Sequence, residues 1–149
     1  MLENFKGLKH FDPDEAWGDP SKISRDLLVR LDAWREYTGA PFYVTFGTQG
    51  KHVGPWHGLG LAVDGVVDVR GGSKLDLVLQ AERFNFTGMG LYPMARHPTC
   101  ATPFGFHFDV RPIGYVKQNR WIATRDPNGR NLIDQHPFDE AHLRLFGII

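Results

Sequence analysis

The chain has 149 residues but only one cysteine, Cys100, which excludes an internal disulfide and a cluster of thiolate metal ligands. It also has no excess charge of either sign, because 17 Lys and Arg residues balance 17 Asp and Glu residues. This balance gives no indication of binding to nucleic acid or to an anionic membrane surface. No apolar run is long enough to span a bilayer, so membrane insertion is not expected.

The sequence also lacks a linker, an internal repeat and a secretory signal. Met1 to Gly7 contain charged and polar side chains in place of the apolar stretch of a signal peptide, so we expect a protein that is cytoplasmic as synthesised. The composition, with 42% hydrophobic and 13% aromatic residues, is that of a globular protein with a real core. We therefore expect one domain over residues 1–149.

Hydrophobic periodicity predicts two helices and four strands. The first helix is capped by Ser21 or Ser24, carries its apolar face through Trp34, and ends before Gly39. The other elements are a helix over 74–84 and strands over 42–46, 61–69, 88–92 and 106–110, with a proline-rich loop over 93–105. The chain from Arg125 is polar and rich in turn formers, up to a last helical turn over 141–146. This order predicts an α+β fold with a small, mainly antiparallel sheet and flanking helices.

Two histidines and an aspartate are candidate metal ligands. Asp64 lies within an apolar strand, where a buried carboxylate needs a cation as its partner. His107 and Asp109 are two residues apart in a predicted strand, so both side chains point to the same face. His57 precedes the strand of Asp64 in a glycine-rich segment. Zinc in catalytic sites takes three ligands of these types and leaves a fourth position open.

A second interpretation of the same residues needs no metal. In it, His57 is an ordinary loop histidine, and Asp64 forms an ion pair with Arg70 or Arg111. Spacing alone does not decide between the two interpretations, because pairs of His and Asp at such distances are common.

Three short motifs and a final Arg-Trp pair follow one another along the chain. The first is His57-Gly-Leu-Gly60-Leu-Ala62-Val-Asp64, the second is Gly88-Met-Gly90-Leu-Tyr92-Pro93, and the third is His107-Phe-Asp109-Val-Arg111, followed by Arg120-Trp121. In these motifs the chain resembles the zinc D-Ala-D-Ala carboxypeptidase family of peptidoglycan peptidases, in particular its small single-domain branch. The resemblance covers about residues 8–122 and leaves 123–149 as a carboxy-terminal tail of unknown role.

The resemblance implies a fold, a metal and an activity. The fold is that of the zinc D-Ala-D-Ala carboxypeptidases and of Hedgehog-like domains, with the zinc site on the sheet. One Zn²⁺ ion is the expected cofactor, with His57, Asp64 and His107 as its ligands. The expected activity is that of a metallopeptidase which cleaves peptidoglycan stem peptides, as a D,D-carboxypeptidase or as an endopeptidase. Without a signal sequence, such an enzyme is expected to be a phage or prophage protein, released by lysis or carried on the phage particle.

The sequence departs from the family at two positions that bear on catalysis. Gln49 stands where the family has an arginine that faces the substrate, and Phe104 stands where many relatives have a carboxylate as general base. With Phe104 excluded, we predict that Asp109 carries the proton during catalysis. The alternative is that Asp109 orients a zinc-binding histidine or pairs with Arg111. Substrate contacts are then expected from three polar side chains, those of Gln49, His52 and Tyr92.

Two other functions are compatible with these residues. The first is a catalytically degenerate module that keeps the fold and binds cell wall or forms part of a virion. The two departures from the family pattern favour this function, and the complete ligand set opposes it. The second is a zinc hydrolase of a different amide, because a fold and its metal ligands do not determine the substrate.

Overall fold

The computed structural model describes residues 2–50, 54–112, 119–125 and 132–149. In chain order its helices and strands are α1 (Arg25–Thr38), β1 (Phe42–Phe46), β2 (Ala62–Asp68), α2 (Lys74–Ala81), β3 (Gly88–Tyr92), β4 (Pro103–Asp109), β5 (Asn119–Arg125), β6 (Leu132–Pro137) and α3 (Glu140–Leu145). Short 3-10 helices occur at Glu3–Phe5, Pro20–Lys22 and Glu82–Phe84. In the described part of the chain, no helix combines the length and the apolar character needed to cross a bilayer.

The six strands form one sheet in the order β1-β2-β4-β3-β5-β6. All neighbouring strands are antiparallel except β3 and β5, which run parallel. Helices and a mainly antiparallel sheet were predicted, and the structure confirms the α+β class at this level.

Local sequence signals determine where α1 and α2 begin and end. The Ser24 side chain accepts a hydrogen bond from the Leu27 backbone N–H, so Ser24 is the cap of α1 among the two serines considered. Gly39 ends α1 with a φ of 65°, a conformation that favours glycine. The predicted helix over 74–84 is α-helical only to Ala81 and continues as a 3-10 turn to Phe84.

Several strand predictions need correction. β1 and β3 match their predicted ranges, and β2 is one residue shorter at each end. β4 begins at Pro103, so the proline-rich loop ends earlier than predicted. The two carboxy-terminal strands β5 and β6 were not predicted. The prediction that the chain after Arg125 is only polar and rich in turns was wrong, because β6 lies there.

The hydrophobic core lies between α1 and one face of the sheet. At its centre, the Trp34 indole of α1 packs edge-on against Phe42, Phe106 and Phe108, at ring-centroid distances of 5.7, 5.3 and 5.0 Å. Its Nε1–H donates to the Leu77 carbonyl oxygen and so ties α1 to α2. These aromatic side chains come from β1 and β4 and leave the opposite face of the central strands for polar groups.

Gly65 is a constraint on this core, because a Cβ at this position would overlap the Phe42 ring. We predict that Gly65→Ala lowers the free energy of unfolding by about 1–3 kcal/mol, the usual cost of overpacking. Gly58→Ala is the matched control, since its Cβ would come no closer than 3.7 Å to the Pro55 carbonyl oxygen. Denaturant unfolding of both variants tests this prediction, and equal stabilities would contradict it.

Candidate metal centre

The candidate ligands come from one turn and two neighbouring strands. Asp64 in β2 and His107 in β4 are directly opposed in antiparallel register, and opposed residues point to the same face. His57 lies in the turn over 54–60 that leads into β2. In this turn Gly60 has a φ of 73°, and a Cβ at this position would overlap the Lys22 carbonyl. The glycine therefore lets the turn dock against the segment that precedes α1.

Three donor atoms of this group face one another. His107 Nδ1 lies 2.8 Å from Asp64 Oδ1, while His57 Nε2 lies 3.3 Å from His107 Nδ1 and 3.4 Å from Asp64 Oδ1. All three residues are buried. A tetrahedral ion with bonds of about 2.0–2.1 Å separates its ligand atoms by about 3.3 Å, which is close to the separations found. The group could therefore hold a metal ion.

The second ring nitrogen of each histidine is held by the protein. His57 Nδ1 lies 2.8 Å from the Gly47 carbonyl oxygen, so it donates its proton there and leaves Nε2 as an acceptor. His107 Nε2 lies 2.8 Å from Asp109 Oδ2, which leaves Nδ1 directed at Asp64. Metal-binding histidines almost always donate their other N–H to a carboxylate or a carbonyl in this way. These bonds favour the tautomers in which both facing nitrogens can bind a metal.

Charges within the group compensate one another. Burial lowers the pKa of His107, but its hydrogen bonds with Asp109 and Asp64 outweigh burial and raise the pKa to about 9. Burial raises the pKa of Asp64, yet its hydrogen bonds with His107 and His57 hold that pKa well below its usual range. A metal ion that binds Nδ1 must displace the proton of His107.

Asp109 makes the contacts of a positioning residue. Its side chain is fully buried, and Oδ2 accepts from His107 Nε2 and from the Arg111 guanidinium. Oδ1 accepts from Arg111 Nε at 2.8 Å and from the Arg111 backbone N–H at 3.2 Å. Burial raises the pKa of Asp109, but Arg111 and His107 hold it well below its usual range. These contacts argue against Asp109 as the proton carrier and favour the alternative, in which it orients His107.

The interpretation in which Asp64 forms an ion pair with Arg70 or Arg111 is wrong, because both arginines pair with other carboxylates. Arg70 pairs with Asp68, at 3.3 Å from Nε to Oδ2. Arg111 pairs with Asp109. Asp64 instead has the two histidines as its partners.

A row of opposed residues crosses the sheet at the site. From the β1 edge the row contains Phe46, Asp64, His107, Gly90 and Trp121. The register of β1 shifts between Val44 and Phe46, which places the half-exposed Phe46 beside Asp64. Aromatic residues therefore flank the ligand pair within this row.

The glycines of β3 make room for two groups on the site face. A Cβ on Gly88 would overlap the Asp109 carboxylate, and a Cβ on Gly90 would overlap the Trp121 indole. The indole packs against His107, with 5.0 Å between the ring centroids. Trp121 thus packs in the site. The two glycines of the second sequence motif leave the space that the Asp109 carboxylate and the Trp121 indole occupy.

Gln49 supports the loop that holds His57. Its Oε1 accepts from the Gly47 N–H at 2.9 Å, and its Nε2 donates to the Ala16 carbonyl oxygen at 2.7 Å. The Gly47 carbonyl is the group that accepts from His57 Nδ1. The Gln49 amide, which was predicted to contact substrate, is therefore hydrogen-bonded to backbone groups of the segments that support His57.

The other two predicted substrate contacts lie in different parts of the chain. Tyr92 is the last residue of β3, is half-buried, and is opposed to Gly105. Because Gly105 precedes His107 by two residues in β4, Tyr92 shares the site face with His107. His52 lies outside the described residues.

Sequence reasoning missed two groups that support the ligands. The first is the Gly47 carbonyl, for which no sequence signal exists, because every residue carries a backbone acceptor. The second is the contact of Trp121 with His107. The Arg-Trp pair that follows the third motif was the available signal, but a motif does not identify the side chain that the indole contacts.

Comparisons with known proteins give no relative of this chain. No family model, no curated protein and no solved structure matches it. The fold and the site therefore define a class, an α+β protein with a buried group of two histidines and one aspartate on a sheet face, which could hold a metal ion.

We predict that the protein binds one divalent metal ion per chain and that His107→Ala abolishes binding, because the variant loses one of three ligands. Elemental analysis after dialysis measures the content. His142→Ala is the control, because the side chain of His142 pairs with Asp139 on the carboxy-terminal helix. A wild-type protein that holds no metal after refolding with zinc would contradict the prediction.

Proposed function

We propose that the protein is a zinc-dependent peptidase that cleaves peptidoglycan stem peptides. The observation that carries this proposal is the arrangement of His57, Asp64 and His107, which place one possible ligand atom each close to the other two. The remaining ring nitrogen of each histidine is hydrogen-bonded to the protein. The resemblance to the zinc D-Ala-D-Ala carboxypeptidases adds support, because its motifs supply all of these residues. The motif glycines and Trp121 lie around the same group.

The chemistry of the ligands favours zinc among the divalent metals. Two imidazole nitrogens and one carboxylate oxygen form a catalytic zinc set that leaves one position for water or substrate. Calcium and magnesium prefer sets made of oxygen ligands. A zinc ion held here would polarise the scissile carbonyl and lower the pKa of water.

The residues around the ligands would position the reaction and not transfer protons. Asp109 holds the His107 ring, and the Gly47 carbonyl holds the His57 ring. Phe46 and Trp121 give the site apolar flanks, which suit the small methyl side chains of alanine-containing stem peptides. Tyr92 shares the site face and remains our candidate for a substrate contact.

The position of Phe104 favours a second function, that of a module that binds cell wall or a virion component without cleaving. Phe104 is fully buried and packs edge-on against Phe106, at 5.0 Å between ring centroids. It lies three residues before His107 in a regular strand, so it points to the core face. Position 104 therefore supplies no general base to the site, and this lack favours a module that binds without cleaving.

Digestion of purified muropeptides by the zinc-loaded protein, followed by mass spectrometry, tests the proposed activity. We expect slow cleavage, since the loss of general acid–base catalysis costs typically about 10²–10⁴-fold. Released D-alanine identifies a carboxypeptidase, and opened cross-links identify an endopeptidase. His57→Ala, which lacks a ligand, should be inactive. Zinc-loaded wild-type protein that sediments with cell walls and cleaves nothing would establish the binding module.

Asp109→Asn distinguishes orientation of His107 from proton transfer. We expect zinc affinity to fall by about 10–100-fold, as for other groups that orient metal ligands, while turnover at saturating zinc changes little. Asp68→Asn is the matched control, because Asp68 is a buried carboxylate of β2 that bonds to Thr102 and Arg70 outside the metal group. Lower turnover with unchanged zinc affinity would instead make Asp109 the proton carrier.

A further inference from the structure

Arg111 is attached to the carboxylate that holds His107. Its guanidinium donates from Nε to Asp109 Oδ1 at 2.8 Å and makes a second contact from a terminal nitrogen to Oδ2. The Arg111 side chain is only 10% exposed and that of Asp109 is fully buried. Because Asp109 Oδ2 also accepts from His107 Nε2, hydrogen bonds connect the guanidinium through the Asp109 carboxylate to the imidazole.

The same guanidinium lies close to two indoles. Its central carbon is 5.3 Å from the ring centroid of Trp56 and 5.8 Å from that of Trp121. Trp56 immediately precedes His57 in the turn over 54–60, and Trp121 packs against His107. Arg111 therefore contacts Trp56 beside His57 and Trp121 beside His107. It also binds Asp109, the hydrogen-bond partner of His107.

We propose that Arg111 is a positioning residue of the metal centre. It fixes the Asp109 carboxylate, and through that carboxylate it keeps His107 oriented with Nδ1 directed at Asp64. It also braces the turn of His57 by stacking on Trp56. This inference rests on metal binding by the group and not on the proposed peptidase activity.

Arginine has two properties that this position uses together. Its planar guanidinium donates in parallel to both oxygens of a carboxylate, and its flat faces stack on aromatic rings. A lysine would keep one positive charge beside Asp109 but would lose the paired donors and the stacking. Arg111→Lys should therefore preserve the local charge while loosening the His107 orientation.

Cobalt titration followed by visible absorption tests the proposal, because the d–d bands of Co²⁺ report the geometry of its ligands. We expect Arg111→Lys to lower cobalt affinity by about tenfold, the lower end of the range for groups that orient ligands, and to shift the bands. Arg120→Lys is the matched control. Arg120 forms an equivalent paired contact with Glu82, at 2.7 and 2.9 Å, with a side-chain exposure of 12%. This control should lose stability but keep the wild-type affinity and spectrum.

A double variant separates positioning from a general effect on stability. If Arg111 acts through Asp109, Arg111→Lys should weaken cobalt binding much less in an Asp109→Asn background than in the wild type. Circular dichroism and thermal unfolding establish that each variant is folded.

Wild-type cobalt affinity and bands in folded Arg111→Lys would overturn the proposal, as would equal changes in Arg120→Lys. A wild-type protein that binds no cobalt would overturn the metal centre itself. Metal binding without muropeptide cleavage would overturn only the peptidase, so the two failures are distinguishable.

Discussion

A buried carboxylate in the second strand of the sheet is the constraint on which the site depends. Asp64 retains 6% of its exposure in a strand whose residues are all buried, and an isolated charge there would be costly. The protein compensates that charge with two histidines, which must approach from different elements. Antiparallel pairing brings His107 directly opposite Asp64, and the docked turn brings His57. The position of the candidate metal centre thus follows from the need to satisfy one carboxylate.

Space on the site face is the second requirement, and glycines provide it. Opposed positions in a sheet normally carry side chains in contact, but two glycines of β3 leave their places to the Asp109 carboxylate and the Trp121 indole. The carboxylate accepts a hydrogen bond from His107, and the indole packs against the His107 ring. The site is therefore built in layers, with metal-facing atoms, groups that hold the rings, and the Arg111 guanidinium behind them.

The central strands were predictable from the sequence because their signals are local, whereas the choice of His57, Asp64 and His107 as one ligand set came from the resemblance, since spacing alone did not decide it. The apolar run around Asp64 and the two-residue spacing of His107 and Asp109 are enough to place them on strands. β5 and β6 were missed because their residues, Asn119–Arg125 and Leu132–Pro137, mix charged and polar side chains with few apolar ones. Their pairing depends on long-range partners, β5 running parallel to β3. The contacts of Gln49 and Asp109 depend likewise on distant backbone and side-chain geometry.

Strand periodicity also limits where a proton carrier could come from. Within β4, only residues an even number of positions from His107 share its face, and these are Pro103 and Gly105, which carry no titratable side chain, and Asp109, whose oxygens are engaged. Phe104 is at an odd spacing and belongs to the core. If Asp109 only orients His107, an acid or base that serves a metal at this site must come from outside β4, from another element or from the substrate itself. The two proposed functions, a peptidase and a binding module, differ in whether such an acid or base is present, since both are proposed for the same candidate metal centre.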